Sequence, residues 1–376
     1  MTSSVLELAR GGDERAFQEL TAPYFRELHL HCYRMLGSVT DADDLMQEIL
    51  LAAWSGLAGF AGRSSVRTWL YRIATNRCLN AIRAGKRRPP TEPMPPFEPP
   101  EPTRRGEVTW LQPYPDAWLD QLPEDRAVRR ETVELAFVTA LQRVPPRQAA
   151  VLVLVDVLGF TIAEVAELMD TGPTAVKGAL QRARAAMRRE ADAVKKRRAA
   201  GCPAMDEGAV DTRRAVGDEG RRFDGRVSDD SRAAADCSSE VTAEIGAGSG
   251  SADAATAGEW MVARRFAEAF VADDIEAVTR LLTDDAWLAM PPAPHEYHGP
   301  AAIAEFLRAS AAGRRGKRLR LDPSGCNLQP GFVCYFVDDT TVWYAGRFVL
   351  AVRGERISRI TRFLEPALEK ALAAAG

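Results

Sequence analysis

Apolar side chains recur at three- and four-residue steps between Glu14 and Leu36, at Phe17, Leu20, Tyr24, Leu28, Cys32 and Met35, which is the period of an amphipathic helix. This predicts one long helix with a single buried stripe. A break at Gly37-Ser38 leads into DADDLMQEILLAAW. There Thr40 or Asp41 is placed to cap a second helix, acidic residues favour its positive N-terminal end, and Leu45, Ile49 and Ala52 face inward. After a glycine-rich turn, Gly56 to Gly62, a third helix over roughly Ser65 to Ala84 packs Leu70 and Ile73. It leaves Arg72, Asn76, Asn80 and Arg83 along a polar stripe.

The helical period then stops. Pro89 to Pro102 (PPTEPMPPFEPPEP) can be neither helix nor central strand, because proline lacks the amide donor and clashes with the preceding turn, so a semi-extended linker is expected. Trp110 to Asp120 (WLQPYPDAWLD) is too aromatic for a purely solvated linker and is expected to dock onto something the sequence does not specify. From Arg129 to Arg198 helical periodicity returns, with Leu141 and Val144 before Pro145-Pro146 and then the apolar run AAVLVLVDVLGF. Ala199 to Gly258 is rich in Gly, Ala, Ser, Asp and Arg with almost no aromatics, a composition that buries too little surface to offset ordering entropy, and is expected to be a disordered acidic linker. Beyond it, Glu259 to Val271 and Ile275 to Leu282 carry helical stripes, and alternation around Val333-Tyr335-Val337 and Val342-Tyr344-Phe348-Leu350 predicts strands. Helices first and then a curved antiparallel sheet make an α+β domain.

Within the second helical stretch, Thr161 to Met187 (TIAEVAELMDTGPTAVKGALQRARAAM) has the form of a helix-turn-helix. Thr161 and Glu164 make a capping box for a short first helix, Asp170-Thr171-Gly172 supplies the turn, and Pro173 suits the first turn of the second helix. Val176, Leu180 and Ala183 form the inward stripe, which leaves Thr174, Lys177, Gln181, Arg182 and Arg184 outward. Those are side chains that hydrogen-bond base edges and phosphates in a major groove.

At 376 residues the chain exceeds what one core organises, so several domains are expected. No apolar run approaches the roughly 18 residues a membrane span needs. The N-terminus (MTSSVLELARGGDERAF) lacks a basic start followed by an apolar stretch, so nothing marks export and the cytoplasm is the expected compartment. Six cysteines lie far apart with no C-x-x-C pair, which argues against a zinc site and a disulfide framework and for reduced thiols. No metal or cofactor is expected. The net charge of -3 hides a basic excess in the first half: Met1 to Arg198 holds 28 basic and 25 acidic side chains, against 6 and 12 in Ala199 to Gly258. Lys177 to Arg198 alone carries nine basic residues, facing only Glu190 and Asp192, as a phosphate-contacting helix would.

Three blocks in order, DADDLMQEILLAAW, SSVRTWLYRIATNRCLNAIR and ALQRVPPRQAAVLVLVDVLGFTIAEVAELMDTGPTAVKGALQRARAAM, resemble regions 2 and 4 of the extracytoplasmic-function (ECF) class of sigma-70 transcription initiation factors. The resemblance implies that Asp44, Gln47 and Glu48 meet the clamp helices of the largest subunit of core RNA polymerase. It implies further that the Gly59 to Trp69 loop and the following helix open the minus-ten element and flip a non-template base, with Arg72, Asn76, Arg77, Asn80 and Arg83 as contacts. Region 4 would read the minus-thirty-five element through Thr174, Lys177, Gln181, Arg182 and Arg184 and grip the β-subunit flap. No nucleotide-hydrolysing motif is present, and no enzymatic activity is expected. The long proline-rich and aromatic spacer departs from the short linker of most relatives and resembles the subgroup that carries an extra C-terminal domain.

That C-terminal domain resembles the SnoaL-type, NTF2-like cone, most clearly in DDAWLAMPPAPHEYHGPAAIAEFL. Trp287, Met290, Tyr297, His298 and Tyr344 are candidates to line a mainly apolar pocket for a small-molecule ligand. An enzymatic alternative would use His295, His298 or Asp285 as acid or base, although no paired constellation stands out. By analogy with sigma factors carrying such a tail, the domain is expected to modulate activity in place of a separate anti-sigma protein. The acidic Ala199 to Gly258 insertion weighs against direct packing of the tail on region 4.

The expected fold is therefore multidomain, two all-α helical domains followed by an α+β NTF2-like cone. Its divisions are region 2 over 1–88, a proline-rich and aromatic linker over 89–128, the region 4 helix-turn-helix over 129–198, the acidic linker over 199–258 and the SnoaL-like domain over 259–376. The function expected is promoter recognition, DNA opening and initiation together with core polymerase. A stand-alone helix-turn-helix regulator with a ligand-sensing domain is the alternative; the block from DADDLMQE to NRCLNAIR, a polymerase-docking helix upstream of a DNA reader, favours the first.

Overall fold

A computed structural model describes residues 2–85, 97–105, 111–119, 130–200, 255–314, 317–338 and 340–364. The first five helices are α1 (Thr2–Arg10), α2 (Glu14–Thr21), α3 (Phe25–Leu36), α4 (Val39–Gly56) and α5 (Val66–Arg83). The single helix expected from Glu14 to Leu36 is two helices, separated by a 3-10 turn over Ala22–Tyr24. The reason is Pro23, which has no amide to continue the ladder. The stripe nevertheless stays continuous: Phe17, Leu20, Leu28, Cys32 and Met35 are all buried.

The cap of α4 also differs from expectation. Gly37 takes up a left-handed conformation (φ 71°) that ends α3, and this places Ser38, not Thr40 or Asp41, at the N-cap, where its hydroxyl accepts the Asp41 amide at 3.1 Å. Helix α4 then runs through Gly56 and tightens into a 3-10 turn over Leu57–Gly59 before the chain reverses into α5.

The second helical unit holds α7 (Leu135–Gln142), α8 (Pro146–Leu152), α9 (Ile162–Leu168) and α10 (Pro173–Ala200), while the spacer contributes β1 (Arg104–Arg105) and the short α6 (Asp116–Leu119). The apolar run after Pro146 does not remain α-helical: it widens into a π turn over Val153–Val157, with the Leu158 amide donating to the Val153 carbonyl.

The C-terminal domain opens with α11 (Ala257–Val271) and α12 (Ile275–Arg280), then β2 (Leu282–Ala289), β3 (His295–His298), α13 (Gly299–Gly313) and β4 to β7 (Arg318–Pro323, Gly331–Val337, Val342–Arg353, Arg356–Phe363). Helices do not all precede the sheet, because α13 lies between β3 and β4. The seven strands are ordered β1-β3-β2-β7-β6-β5-β4, with β2 and β7 parallel and the other neighbours antiparallel. Residues 201–254, most of the expected acidic linker, and the Pro89 to Pro96 part of the proline-rich stretch fall outside the described residues.

The two faces of this sheet serve different cores. Phe332, Leu350, Phe348 and Ile360 pack with Phe266 and Phe306 of α11 and α13. On the other face Val349 and Phe363, joined by Cys326 and Leu328 of the β4–β5 connection, complete the core that spans α1 to α10. Alternation along each strand makes this possible, since neighbouring residues point to opposite sides.

Candidate nucleic-acid interface

Helix α4 buries Val39, Ala42, Leu45, Met46, Ile49 and Ala53, so the opposite stripe is left to solvent. Asp44, Gln47 and Glu48 are all exposed on it. One turn further on, Leu51 is 68% exposed, an apolar residue continuing the acidic stripe at the i+7 position from Asp44. Sequence reasoning missed Leu51; the signal was a leucine out of phase with the buried stripe.

Helix α5 sorts its residues in the same way. Trp69, Leu70, Tyr71, Ala74, Thr75, Cys78 and Leu79 are buried, while Arg72, Asn76, Arg77, Asn80 and Arg83 are exposed. Arg83 Nη1 donates to Asn80 Oδ1 at 3.1 Å, and Arg77 approaches Glu48 at 3.6 Å, so the cationic face of α5 adjoins the acidic stripe of α4. The entry to α5 is held by Ser65, whose hydroxyl accepts the Thr68 amide, and by Phe60 against Trp69 with ring centroids 5.0 Å apart. Beneath this face, His31 Nε2 meets Thr75 Oγ1 at 3.0 Å; burial, with Arg34 and Arg67 nearby, lowers the His31 pKa to about 3.

The helix-turn-helix forms as its residues dictate. The Thr161 amide donates to Glu164 Oε2 at 2.8 Å and the Glu164 amide donates to Thr161 Oγ1 at 3.2 Å, the reciprocal capping box, and Asp170 makes the turn with φ 50°. Val176, Leu180, Ala183 and Met187 are buried; Thr174, Lys177, Gln181 and Arg182 are exposed. Arg184 is a correction. It is half-buried and turned back onto Asp156 in a two-pronged ion pair, Nε to Oδ2 at 2.9 Å and Nη2 to Oδ1 at 2.7 Å. The π turn presents Asp156 at that position, so Arg184 clamps α10 to the π turn that continues α8 and is not outward.

The two helical units are packed together. Arg67 of α5 lies over the rings of Tyr71 and Phe160, 5.0 and 4.7 Å from the ring centroids, and the two rings meet at 5.3 Å. The fully buried Arg34 of α3 reaches the segment before α7, with Nε to the Thr132 carbonyl and Nη2 to Thr132 Oγ1, both at 3.0 Å; burial lowers its pKa to about 10.

The aromatic spacer docks, as expected, and its partners are both ends of the chain. Gln112 Oε1 accepts from Ser38 Oγ and the Thr40 amide at 3.1 and 3.0 Å, while the Gln112 amide donates to the Gly37 carbonyl. Tyr114 is fully buried against His29, Tyr33 and Trp118. Onto this comes Asn327 from the β4–β5 connection. Its Oδ1 accepts the Tyr114 amide at 2.8 Å, and its Nδ2 donates to Tyr33 Oη at 2.8 Å and to the Val133 carbonyl at 2.7 Å. Tyr33 Oη in turn donates to the Gln112 carbonyl at 2.9 Å. Asn327 has φ 59°, a left-handed conformation that asparagine tolerates, and the Asp116 carboxylate lies close to where a Cβ on Gly325 would stand. Leu135 and Gln329 add a further contact, amide to Oε1 at 3.2 Å. One side chain thus ties region 2, the spacer, region 4 and the C-terminal domain.

Trp287, Met290, Tyr297 and His298 do not converge on one pocket, and Tyr344 lies against Tyr335 with ring centroids 6.4 Å apart. Trp287 pairs with His298 and their rings lie 4.3 Å apart, whereas Leu288 pairs with Tyr297 on the opposite side of the sheet. Tyr297 and Met290 belong to the inner core with α13, and Tyr297 Oη donates to the Pro100 carbonyl at 2.8 Å. His295 and His298 are three residues apart on one strand and so face opposite sides, while Asp285 approaches Arg353 at 3.6 Å. Among the described residues no group of three or more His, Cys, Asp or Glu is placed to hold a metal ion. Nor is any described helix long and apolar enough to cross a membrane.

Comparison with known proteins agrees with this arrangement. Residues 20–88 match the sigma-70 region 2 family model, residues 134–187 that of sigma-70 region 4, and residues 263–360 that of the SnoaL-like domain. The chain is 36% identical over 362 residues to the ECF RNA polymerase sigma factor SigG of Mycobacterium tuberculosis, covering 95% of this chain and 84% of the relative. It is 33% identical over 178 residues to SigM of the same species, covering 47% of this chain and 78% of SigM. The crystal structure of the Mycobacterium tuberculosis extracytoplasmic function sigma factor SigJ shares the fold, with TM-score 0.53 at 18% identity over 94% of this chain and 98% of that one. Regions 2 and 4 in order, together with a relative similar over most of its length, show that the chain belongs to the ECF RNA polymerase sigma factors and binds RNA polymerase and promoter DNA to initiate transcription.

Proposed function

We propose that the stripe Asp44, Gln47, Glu48 and Leu51 on α4 docks on the clamp helices of the polymerase largest subunit. In the same scheme Arg72, Asn76, Arg77, Asn80 and Arg83 on α5 hold the opened minus-ten strand, and Thr174, Lys177, Gln181 and Arg182 on α10 read the minus-thirty-five element while region 4 grips the β flap. The observation that carries this is the exposure of all these residues on helices whose other faces are buried. Promoter opening on this scheme needs binding free energy and no bond chemistry of the chain's own, and the place of action is the cytoplasm, where the polymerase is.

The C-terminal domain acts as a built-in regulator. The packing of α5 against the α9 unit through Arg67, Tyr71 and Phe160 holds regions 2 and 4 close, and the Asn327 junction supports that closed arrangement from outside both. Reading two promoter elements at once calls for the regions to part, so the junction is expected to hold activity down.

Run-off transcription from a promoter library with core bacterial polymerase tests the scheme. The full chain should give promoter-specific transcripts and Asn327→Ala should give more of them. Lys177→Ala with Arg182→Ala should weaken upstream-element binding and lower its salt dependence by about one unit of slope per cation. Asp44→Ala with Gln47→Ala should weaken core binding. Polymerase-independent DNA binding without transcripts would favour a stand-alone regulator.

A further inference from the structure

The inner face of the C-terminal sheet carries a charge that no described carboxylate balances. Arg362 on β7 is 3% exposed and pairs across the strands with Phe348, so its guanidinium enters the core formed with α11 and α13, with Cζ 5.2 Å from the Phe348 ring. Its contacts are few: Nη1 to Ser310 Oγ at 3.5 Å and Nη2 to the Ala345 carbonyl at 3.2 Å, while Nε has no partner among the described residues. No described carboxylate pairs with it. Its charged neighbour is a second cation, Arg314 at the end of α13, 9% exposed, whose own partner is Asp273. Burial, with Arg314 close by, lowers the Arg362 pKa.

Arg34 shows by contrast what a structural buried arginine looks like in this molecule, with two 3.0 Å bonds to Thr132 taken by Nε and Nη2. A buried guanidinium with neither a counter-ion nor a full set of short hydrogen bonds is costly, an anion would complete it, and the planar fork matches a carboxylate in two-pronged geometry. The groups around it, Phe348, Cys334 and Ala345, suit an apolar body, and the Ser310 hydroxyl supplies one further donor.

We propose that the interior of the C-terminal domain, on the side of the sheet opposite the Asn327 junction, receives a small apolar monocarboxylate whose carboxylate pairs with Arg362. This deepens the regulatory role proposed for that domain. Because binding is measured apart from transcription, its failure and the failure of that role are distinguishable.

The test is calorimetric titration of the full chain with octanoate and with phenylacetate, each beside its primary amide, octanamide and phenylacetamide. At least one acid should bind, with its amide at least tenfold weaker. Ser310→Ala should weaken the acid roughly threefold and Arg362→Lys more, while Arg362→Met should lose discrimination between acid and amide altogether. Without ligand, Arg362→Met should melt about 2–4 °C above the parent protein, because an uncompensated buried charge has been replaced by an apolar chain of similar length. Equal binding of acid and amide, no binding of either acid, or an Arg362→Met protein that melts well below the parent would each overturn the proposal, the last by showing Arg362 to be a satisfied structural cation.

Discussion

The helix-turn-helix of region 4 and the Asn327 junction are both polar constructions on buried scaffolds, yet they are specified over very different distances along the chain. In the first, Thr161 and Glu164 cap each other three residues apart, Asp170 turns the chain, and Val176 to Met187 supply a stripe at helical spacing. In the second, the Asn327 amide group meets Tyr33 across 294 residues, Tyr114 across 213 and Val133 across 194. The difference teaches how far along the chain each construction reaches for its partners. The helix-turn-helix takes its caps, turn and stripe from local rules, whereas its relation to region 2 and the tail rests on a shared apolar core and on one buried amide that closes a network from three parts of the chain.

The comparison is broken most directly at its centre. Asn327→Ala removes three side-chain hydrogen bonds and leaves the Tyr114 amide and Val133 carbonyl buried without partners, a loss of roughly 3–5 kcal/mol in urea unfolding of the full chain. Small-angle scattering should show a more extended particle, while the helical signal of region 4 persists. An unchanged radius would mean that apolar contacts alone hold the tail.

Acidification separates the same two parts by a different route. The four histidines are His29, His31, His295 and His298, none of them in the helix-turn-helix. His31 resists protonation in the folded state, with a pKa of about 3. The unfolded chain takes up that proton below about 6.5, so the contribution of His31 is full above that pH and lost as pH falls towards 3, at up to about 1.4 kcal/mol per unit. Lowering pH from 7 to 5 should cost the parent protein about 2 kcal/mol from this group, and His31→Gln should lose much less. Equal acid sensitivity in the two proteins would remove His31 from the account.

A smaller effect is expected at the second cap of α4. Gln112→Ala leaves Ser38 capping the helix but withdraws the acceptor shared by Ser38 and Thr40, for about 1–2 kcal/mol in the same unfolding measurement. Because the Gln112 main chain still accepts from Tyr33, the Asn327 contact should survive, which hydrogen exchange at the Tyr114 amide can check. Smallest of all, Thr161→Ala should cost about 1 kcal/mol by breaking the capping box, with DNA affinity reduced in proportion and the particle's dimensions unchanged. Loosening of the tail by this variant would show that the local and long-range constructions are coupled after all.

Much of the interface was legible in advance because it lies on amphipathic helices, where burial of one stripe dictates exposure of the other. Period places Arg72, Asn76, Asn80 and Arg83 of α5 and four of the five α10 residues outward, while Asp44, Gln47, Glu48 and Arg77 come from the family resemblance, and the structure leaves all of them exposed. Arg184 was misplaced for a reason no periodicity contains: the π turn brings Asp156 within its reach. Of the five residues expected to line a pocket, Trp287, Met290, Tyr297, His298 and Tyr344, strand register puts Trp287 beside His298 and so puts Tyr297 on the other side of the sheet. The spacer's aromatic content announced that it would dock, but only the fold showed on what.

The sequence alone determined most of the helices, the cap at Thr161, the helix-turn-helix and the order of sigma regions, since each rests on contacts three to four residues apart or on a recognisable run of residues. Only the tertiary structure decided that the sheet of the C-terminal domain shares one face with the sigma core, that Asn327 ties Tyr33 to Tyr114, and that Arg362 is buried with no described carboxylate beside it. These depend on strand register and on close approach between residues up to 294 apart, and such contacts leave no periodic trace along the chain.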